Sequence, residues 1–302
     1  MRYHACSLKL VGLQTSYLII AAVVASLVIV QINARIGSPI LSIIDRWIRW
    51  AGFSLGAALM CQNFQWLDRP FWILVGFFFI IWFLGETLYN WLAISALSLS
   101  PMPLFPKYVV NDSGEEWPTQ PRLLKIRSWL RDQGFQQVQA LKAEVGGGIY
   151  LRVSIYENKE TTQRIQITFL PQNSGTIVVC YSITSLTKDG RRIVTDNLYI
   201  PFGGFYPEYW YVLRLPRNRS LKRLLNKHKV RIANEELAPF NVEPVVDLNS
   251  VQHELEQLNT ELGFLHPHSE RDDLGKITQE GRYRVWKEIW MLNYLGKSAR
   301  YH

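Results

Sequence analysis

Cysteine is scarce in this 302-residue chain: Cys6, Cys61 and Cys180 stand far apart, and no CxxC pair occurs. That leaves nothing for a disulfide framework or a zinc knuckle, and it favours a reducing compartment. A phosphate loop is lacking too. Gly146-Gly147-Gly148 is followed by no Lys-Ser/Thr and by a strand-like run rather than a helix, so it reads as a turn. No Ser or Cys nucleophile elbow is recognisable, and Cys180 lies in an apolar run with no histidine beside it in sequence. Internal repeats are absent, and no motif names a reaction.

Acidic residues are missing from most of the first hundred positions. Met1 to Ser100 holds only Asp45, Asp68 and Glu86 against six Lys/Arg, while the remaining 27 Lys/Arg and 22 Asp/Glu lie beyond. The overall balance is +8, positive in both parts. A chain divided this way has one part solvated by lipid and one by water. It divides into a transmembrane region (1–100), a proline-rich linker (101–121) and a soluble domain (122–302) large enough to bury its own core.

Long hydrophobic runs are what the first part does have. No charge occurs from Leu10 to Ala34, and Ser16–Ile32 is the most apolar stretch within it. At ~1.5 Å per residue that run exceeds the ~30 Å of hydrocarbon. A signal peptide is the competing reading, but the run is too long and Ile32-Asn33-Ala34 makes a poor cleavage site. Phe71 to Leu92 is the second strong segment, with Phe71, Trp72, Tyr89 and Trp91 placed to form interfacial belts. Between them, Trp50 to Leu67 is shorter and includes Gln62, Asn63 and Gln65. Its small residues Gly52, Ser54, Gly56, Ala57 and Ala58 suit close helix packing, the alternative being a helix lying in the interface. The expectation is two or three spans, about 12–34, 50–67 and 71–95. The basic residues Arg35, Arg46, Arg49, Lys107, Arg122, Lys125 and Arg127 would then fall on one side, making the C-terminal domain cytoplasmic, as in a bacterial inner membrane.

In the second part, Pro121 opens a helix with an apolar stripe (Leu123, Leu124, Ile126, Leu130) that Gly134 stops. Alternation in Ile149–Tyr156 and Ile165–Phe169, then Thr176–Ser185 and Ile193–Ile200, with turns at Asn173-Ser174-Gly175 and Lys188-Asp189-Gly190, predicts an antiparallel meander. Helices follow from Ser220 to about Val230, from Asn249 or Ser250 to about Leu262, and from Thr278 to about Leu295. The fold class expected is a membrane helical anchor joined to an α+β domain with flanking helices.

Four leads carry chemistry. Glu86 is an acid near the middle of a span, where such groups face a bundle interior and often serve function. Asn90 lies one turn on, and Gln62 and Asn63 are placed to hydrogen-bond Glu86 from the neighbouring helix. The plainer reading is a structural residue, paired or nearer the interface. The second lead is Arg214 to Arg231, which holds Arg214, Arg217, Arg219, Lys222, Arg223, Lys227, Lys229 and Arg231 with no acid. It suits an anionic surface: membrane lipid or a membrane partner first, nucleic acid second, with a solvated helix face as the plain alternative. His266-Pro267-His268 with Glu270, Asp272 and Asp273 resembles a metal cluster only superficially, since no regular element orients it, so no metal is assigned. Asp196 and Glu208 are a candidate carboxylate pair whose separation nothing in the sequence fixes. Two further segments, Arg192–Pro216 and Gly281–Lys297, have compositions under evident constraint without matching a motif.

The expected function is therefore a membrane-anchored, non-enzymatic assembly or regulatory component. Its partners would be the bilayer and other membrane or cytoplasmic subunits, with anionic lipid as a further ligand and no cofactor. A membrane-bound enzyme with an unlocated active site and a small-ligand sensor are the alternatives.

Overall fold

A computed structural model describes residues 2–36, 38–113, 117–146, 148–171 and 177–299. The expected turn at Asn173–Gly175 lies outside the described residues. The chain divides into two compact units. One comprises residues 1–94 and 289–296, the other 95–288 and 297–302.

The first unit is helical: α1 (Arg2–Ile36), α2 (Pro39–Asn63) and α3 (Phe71–Leu99). Pro39 starts α2 at a position where the missing N–H costs nothing. Contacts between consecutive helices run in opposite directions. Ser26 meets Asp45, Ala22 faces Gly52 and Ile19 faces Gly56. On the other side of α2, Trp50 stacks on Phe79, and Ala58 and Cys61 pack on Leu74. The small residues thus serve two faces, the glycines toward α1 and Ala58 toward α3. α3 is long and apolar enough to cross a membrane, and only 6 % of its most apolar stretch is buried. The first expected span falls partly on residues whose side chains lie outside the described set; Ile19–Ala34 remains as a shorter apolar stretch.

The second unit is an α+β fold. β1 (Tyr108–Val110), β2 (Gln136–Gly146), β3 (Ile149–Glu157), β4 (Arg164–Pro171), β5 (Ile177–Thr187) and β6 (Arg192–Asp196) pair antiparallel in chain order. β7 (Trp210–Arg214) then adds parallel to β6, and β8 (Leu237–Ala238) pairs with the end of β5. The meander therefore has more strands than its alternation revealed. β2 carries no legible alternation, because its register shifts at Gln137/Gln139 and Glu144/Gly146 interrupt the two-residue period and alanines fill its inner positions. The glycine triplet is the β2–β3 connection, with Gly146 and Gly148 at positive φ and Gly147 outside the described residues.

The sheet is covered on both faces, so its strands are not half-buried as their alternation suggested. α4 (Pro121–Asp132) and α5 (Leu221–Ile232) lay Leu123, Leu130, Leu221, Leu224 and Leu225 on Tyr156, Ile165, Ile167, Phe169 and Ile183. α6 (Pro244–Glu261) covers the opposite face with Leu248 against Leu141 and Val153, and with Val251 and Leu255 against Val194 and Trp210. α6 begins five residues before Asn249, because Pro244 occupies its first turn with its φ already helical. A 3-10 turn (His268–Glu270) leads to the single-turn α7 (Arg271–Leu274). α8 (Gln279–Trp290) follows, its start satisfied by Thr278 Oγ1 accepting from Gly281 N at 3.1 Å, and runs into one π turn, Met291–Leu295.

Several buried charged and titratable groups in this unit are paired with one another. Arg164 bonds Glu157 and Asp247, both at 2.7 Å, and Asp247 also accepts from Arg192 at 2.5 Å, which ties α6 to the sheet. His228 is fully buried, with one ring nitrogen 3.0 Å from Ser185 Oγ and the other 3.0 Å from Thr195 Oγ1. Burial first, and the charge of Arg231 second, push it down to about 3, so it is neutral in the fold. In the unfolded chain it titrates near ~6.5. The folded pKa being the lower, this stabilisation is complete above that pH and is lost as pH falls toward 3, with a limiting slope of about 1.4 kcal/mol per pH unit. Thermal unfolding of the full chain should therefore show Tm falling between about pH 7 and pH 5. The fall should be shallower in His228→Asn; an equal slope in that variant would rule this origin out.

Candidate functional site

A cavity of about 440 Å³ opens in the helical unit between α2 and α3. Arg46, Arg49 and Phe53 recur on one side of α2, and Ile81, Trp82, Gly85, Glu86 and Tyr89 form a stripe on α3, with Tyr294 at the end. These spacings put each set on a single helix face. The antiparallel register decides which residues meet. Trp50 lies against Phe79 and Phe83, so Arg46, one turn earlier in α2, arrives opposite Glu86.

Glu86 is held by three partners. Trp82 Nε1 donates to Oε2 at 3.1 Å, Tyr294 OH donates to the same oxygen, and Arg46 Nη1 stands 3.6 Å from Oε1. Beside it, Arg49 Nη2 pairs with Asp45 at 2.8 Å, and Asp45 accepts from Ser26 Oγ at 2.6 Å. Tyr294 is brought in by an aromatic cluster. It stacks on Trp290 at 4.5 Å between centroids, meets Trp47 and Trp50 edge-on, and its carbonyl accepts from Trp47 Nε1 at 3.1 Å.

The other members predicted around Glu86 are not gathered here. Gln62 and Asn63 sit at the opposite end of α2, Asn63 some ~25 Å along the axis from Arg46 at helical rise. Asn90 is buried one turn beyond Glu86, and its Nδ2 has no partner among the described residues. Tyr294 is not legible in the sequence as a partner of Glu86, because 208 residues separate the two. Gly52-Phe53-Ser54-Leu55-Gly56 has the letters of a nucleophile elbow, yet it lies inside α2, and the buried Ser54 Oγ donates back to Trp50 O at 2.9 Å.

The basic segment is split by the fold. Arg214 is buried, 3.0 Å from Asp196 and 3.6 Å from Glu288, and donates to Tyr206 OH at 2.7 Å. Arg231 donates to the carbonyls of Val194 and Tyr211, and burial lowers the pKa of Arg219. Arg217, Arg219, Lys222, Arg223, Lys227 and Lys229 are exposed; the last four project from α5 while its leucines enter the core.

The remaining leads do not converge on chemistry. Burial pushes the Asp196 carboxyl up and Arg214 pulls it back; Leu198 N and Arg214 occupy the oxygens, whereas Glu208 is exposed, so no acid–base pair forms. His266 faces Glu270 at 3.6 Å while His268 faces Glu256 at 3.5 Å, and no metal-holding group of three occurs among the described residues. Burial pushes the Cys180 thiol up to about 11, the wrong direction for a nucleophile. The chain matches no protein-family model, no curated protein and no solved structure.

The hydrogen bonds at Glu86 outrank its ion pair. Arg46 is about one-third exposed at 3.6 Å, a geometry worth under about 1 kcal/mol. Tyr294 donates directly to a carboxylate, a class worth roughly 1.5–3 kcal/mol. Double-mutant cycles in detergent should therefore give stronger coupling for Glu86→Ala with Tyr294→Phe than for Glu86→Ala with Arg46→Gln. The reverse order would refute this assignment.

Proposed function

We propose that the chain is a membrane-anchored, non-enzymatic assembly or regulatory component, with α1, α2 and α3 crossing the bilayer and the α+β domain on the cytoplasmic side. One observation carries the membrane part. The helical unit is inverted relative to a water-soluble domain: Ile20, Val24, Leu27, Ile73, Phe77, Ile80, Leu84 and Leu88 are exposed, while Asp45, Ser54 and Asn90 are buried. A contiguous apolar exterior of this extent is stable in lipid and aggregates in water. α3, with 29 residues, is longer at helical rise than the ~30 Å hydrocarbon and apolar enough to cross it.

In this reading Arg46, Arg49 and Glu86 form one polar level and Asp68 and Arg69 the other. Phe71 to Gly85 covers about 22 Å between them, and the tryptophans and snorkelling arginines complete the thickness. Glu86 then lies at the cytoplasmic edge of the hydrocarbon rather than at its middle. Arg46, Arg49, Lys107, Arg122, Lys125 and Arg127 share that side, which supports the orientation. The exposed α5 residues Lys222, Arg223, Lys227 and Lys229 supply a surface for an acidic partner subunit or the anionic leaflet. A second reading, a small-ligand sensor, draws support from the α2–α3 cavity, whose lining combines arginine, aromatics and one carboxylate without histidine, cysteine or serine.

Membranes carrying the chain should retain it through an alkaline carbonate wash. A membrane-impermeant maleimide added to intact cells should label a cysteine placed at Asp68 but not one placed at Asp189. Release into the supernatant sinks the anchor; labelling at position 189 alone reverses the orientation. In mild detergent a stoichiometric partner should co-purify and be lost on charge reversal of Lys222, Arg223 and Lys227. Elution of the chain by itself in every mild detergent ends the assembly reading.

A further inference from the structure

We infer that the cavity between α2 and α3 is a binding site for one phospholipid, its phosphate taken by Arg46 and Arg49 and its glycerol and upper acyl chain lying over Phe53, Ile81, Trp82 and Gly85. This rests on the membrane reading above. The hydrogen-bond inventory argues for an acceptor-rich ligand. Both local carboxylates are occupied, Asp45 by Ser26 and Arg49 and Glu86 by Trp82 and Tyr294. The two guanidiniums are not. Arg49 has one ion-pair contact and its side chain is 52 % exposed, while Arg46 has only the 3.6 Å approach to Glu86, too long for a hydrogen bond. Each guanidinium carries five N–H donors in a fork that fits phosphate oxygens.

The rest of the cavity selects a lipid over a soluble phosphate. One turn below Arg49 on α2 is Phe53, and one turn from Tyr89 and Glu86 on α3 are Gly85, Trp82 and Ile81, so polarity falls along the groove. Gly85 makes the room: a Cβ there would meet nothing within 4 Å. Tyr89 is largely exposed at the polar end, where an amphipathic ring suits a headgroup. Basic pockets between membrane helices on the cytoplasmic side are a recognised headgroup geometry, and the volume, about 440 Å³, is that of a ligand pocket rather than a packing defect.

The test uses the full chain, delipidated in detergent, with three probes: dioleoyl phosphatidylglycerol, dioleoylglycerol and glycerol 3-phosphate. Phosphatidylglycerol should raise Tm and persist as a single adduct in native mass spectrometry, and the other two should do neither. Gly85→Leu, which fills the groove without touching the arginines, and Arg46→Gln/Arg49→Gln should each weaken retention by about tenfold or more, a loss of about 1.4 kcal/mol. Gly85→Leu should keep the unliganded Tm of the native chain, which separates blocking from misfolding. Equal retention of dioleoylglycerol removes the phosphate, an equal shift with glycerol 3-phosphate removes the lipid, and undiminished retention in Gly85→Leu removes the site. None of these outcomes bears on carbonate resistance, so failure here and failure of the anchor are distinguishable.

Discussion

A carboxylate set among phenylalanines and tryptophans has to be satisfied, and the helical unit is organised by how Glu86 is satisfied. Its three partners come from three places in the chain: Arg46 in α2, Trp82 one turn earlier in α3, and Tyr294 from the far C-terminus. Leaving such a group ionised and unpaired would cost several kcal/mol. The α2–α3 register and the docking of the π turn are therefore specified together. Asp45 does the same for α1 through Ser26. Small residues and stacked rings permit many registers; these polar contacts select one.

The α+β unit answers the same demand differently. Arg214 is buried, yet Asp196, Tyr206 and Glu288 hold its charge in place. Glu288 also accepts from the amides of Phe202 and Gly203, where the chain approaches α8 so closely that a Cβ on Gly203 would stand 2.8 Å from Val285 N. The two segments with constrained composition but no motif are thus halves of one buried network. His228 shows the alternative solution, a titratable ring kept neutral between two hydroxyls. Spread over β6, β7, α5 and α8, these interactions give the domain a framework, and none of them leaves a reactive group facing an opening.

The side chains that could carry chemistry are tied up in the same way. Asp196, Cys180 and Ser54 are buried and committed to neighbours, and the histidines of the His266–His268 loop face separate acids. What stays available to other molecules is of another kind: the exposed cations of α5, the arginine-and-aromatic groove, and the apolar exterior of the helices.

Composition and periodicity alone determined the division into an apolar and a polar part, the antiparallel character of the sheet, and the helix starts at Pro121 and Ser220. Each is a local property: hydrophobic run length, alternation, a proline or serine in the first turn. Glu86 could be singled out for the same reason, as one acid in an apolar run. Its partners could not, because Gln62 and Asn63 look near only if the helices are paired at the wrong height, and Tyr294 is 208 residues away. Nor could the division of the basic segment, since Arg214 and Lys222 are equally charged in a sequence and only the sheet edge and the α5 helix face decide which is buried. Side-chain chemistry is written in the chain; which groups are left facing solvent, lipid or one another is settled by packing between distant segments.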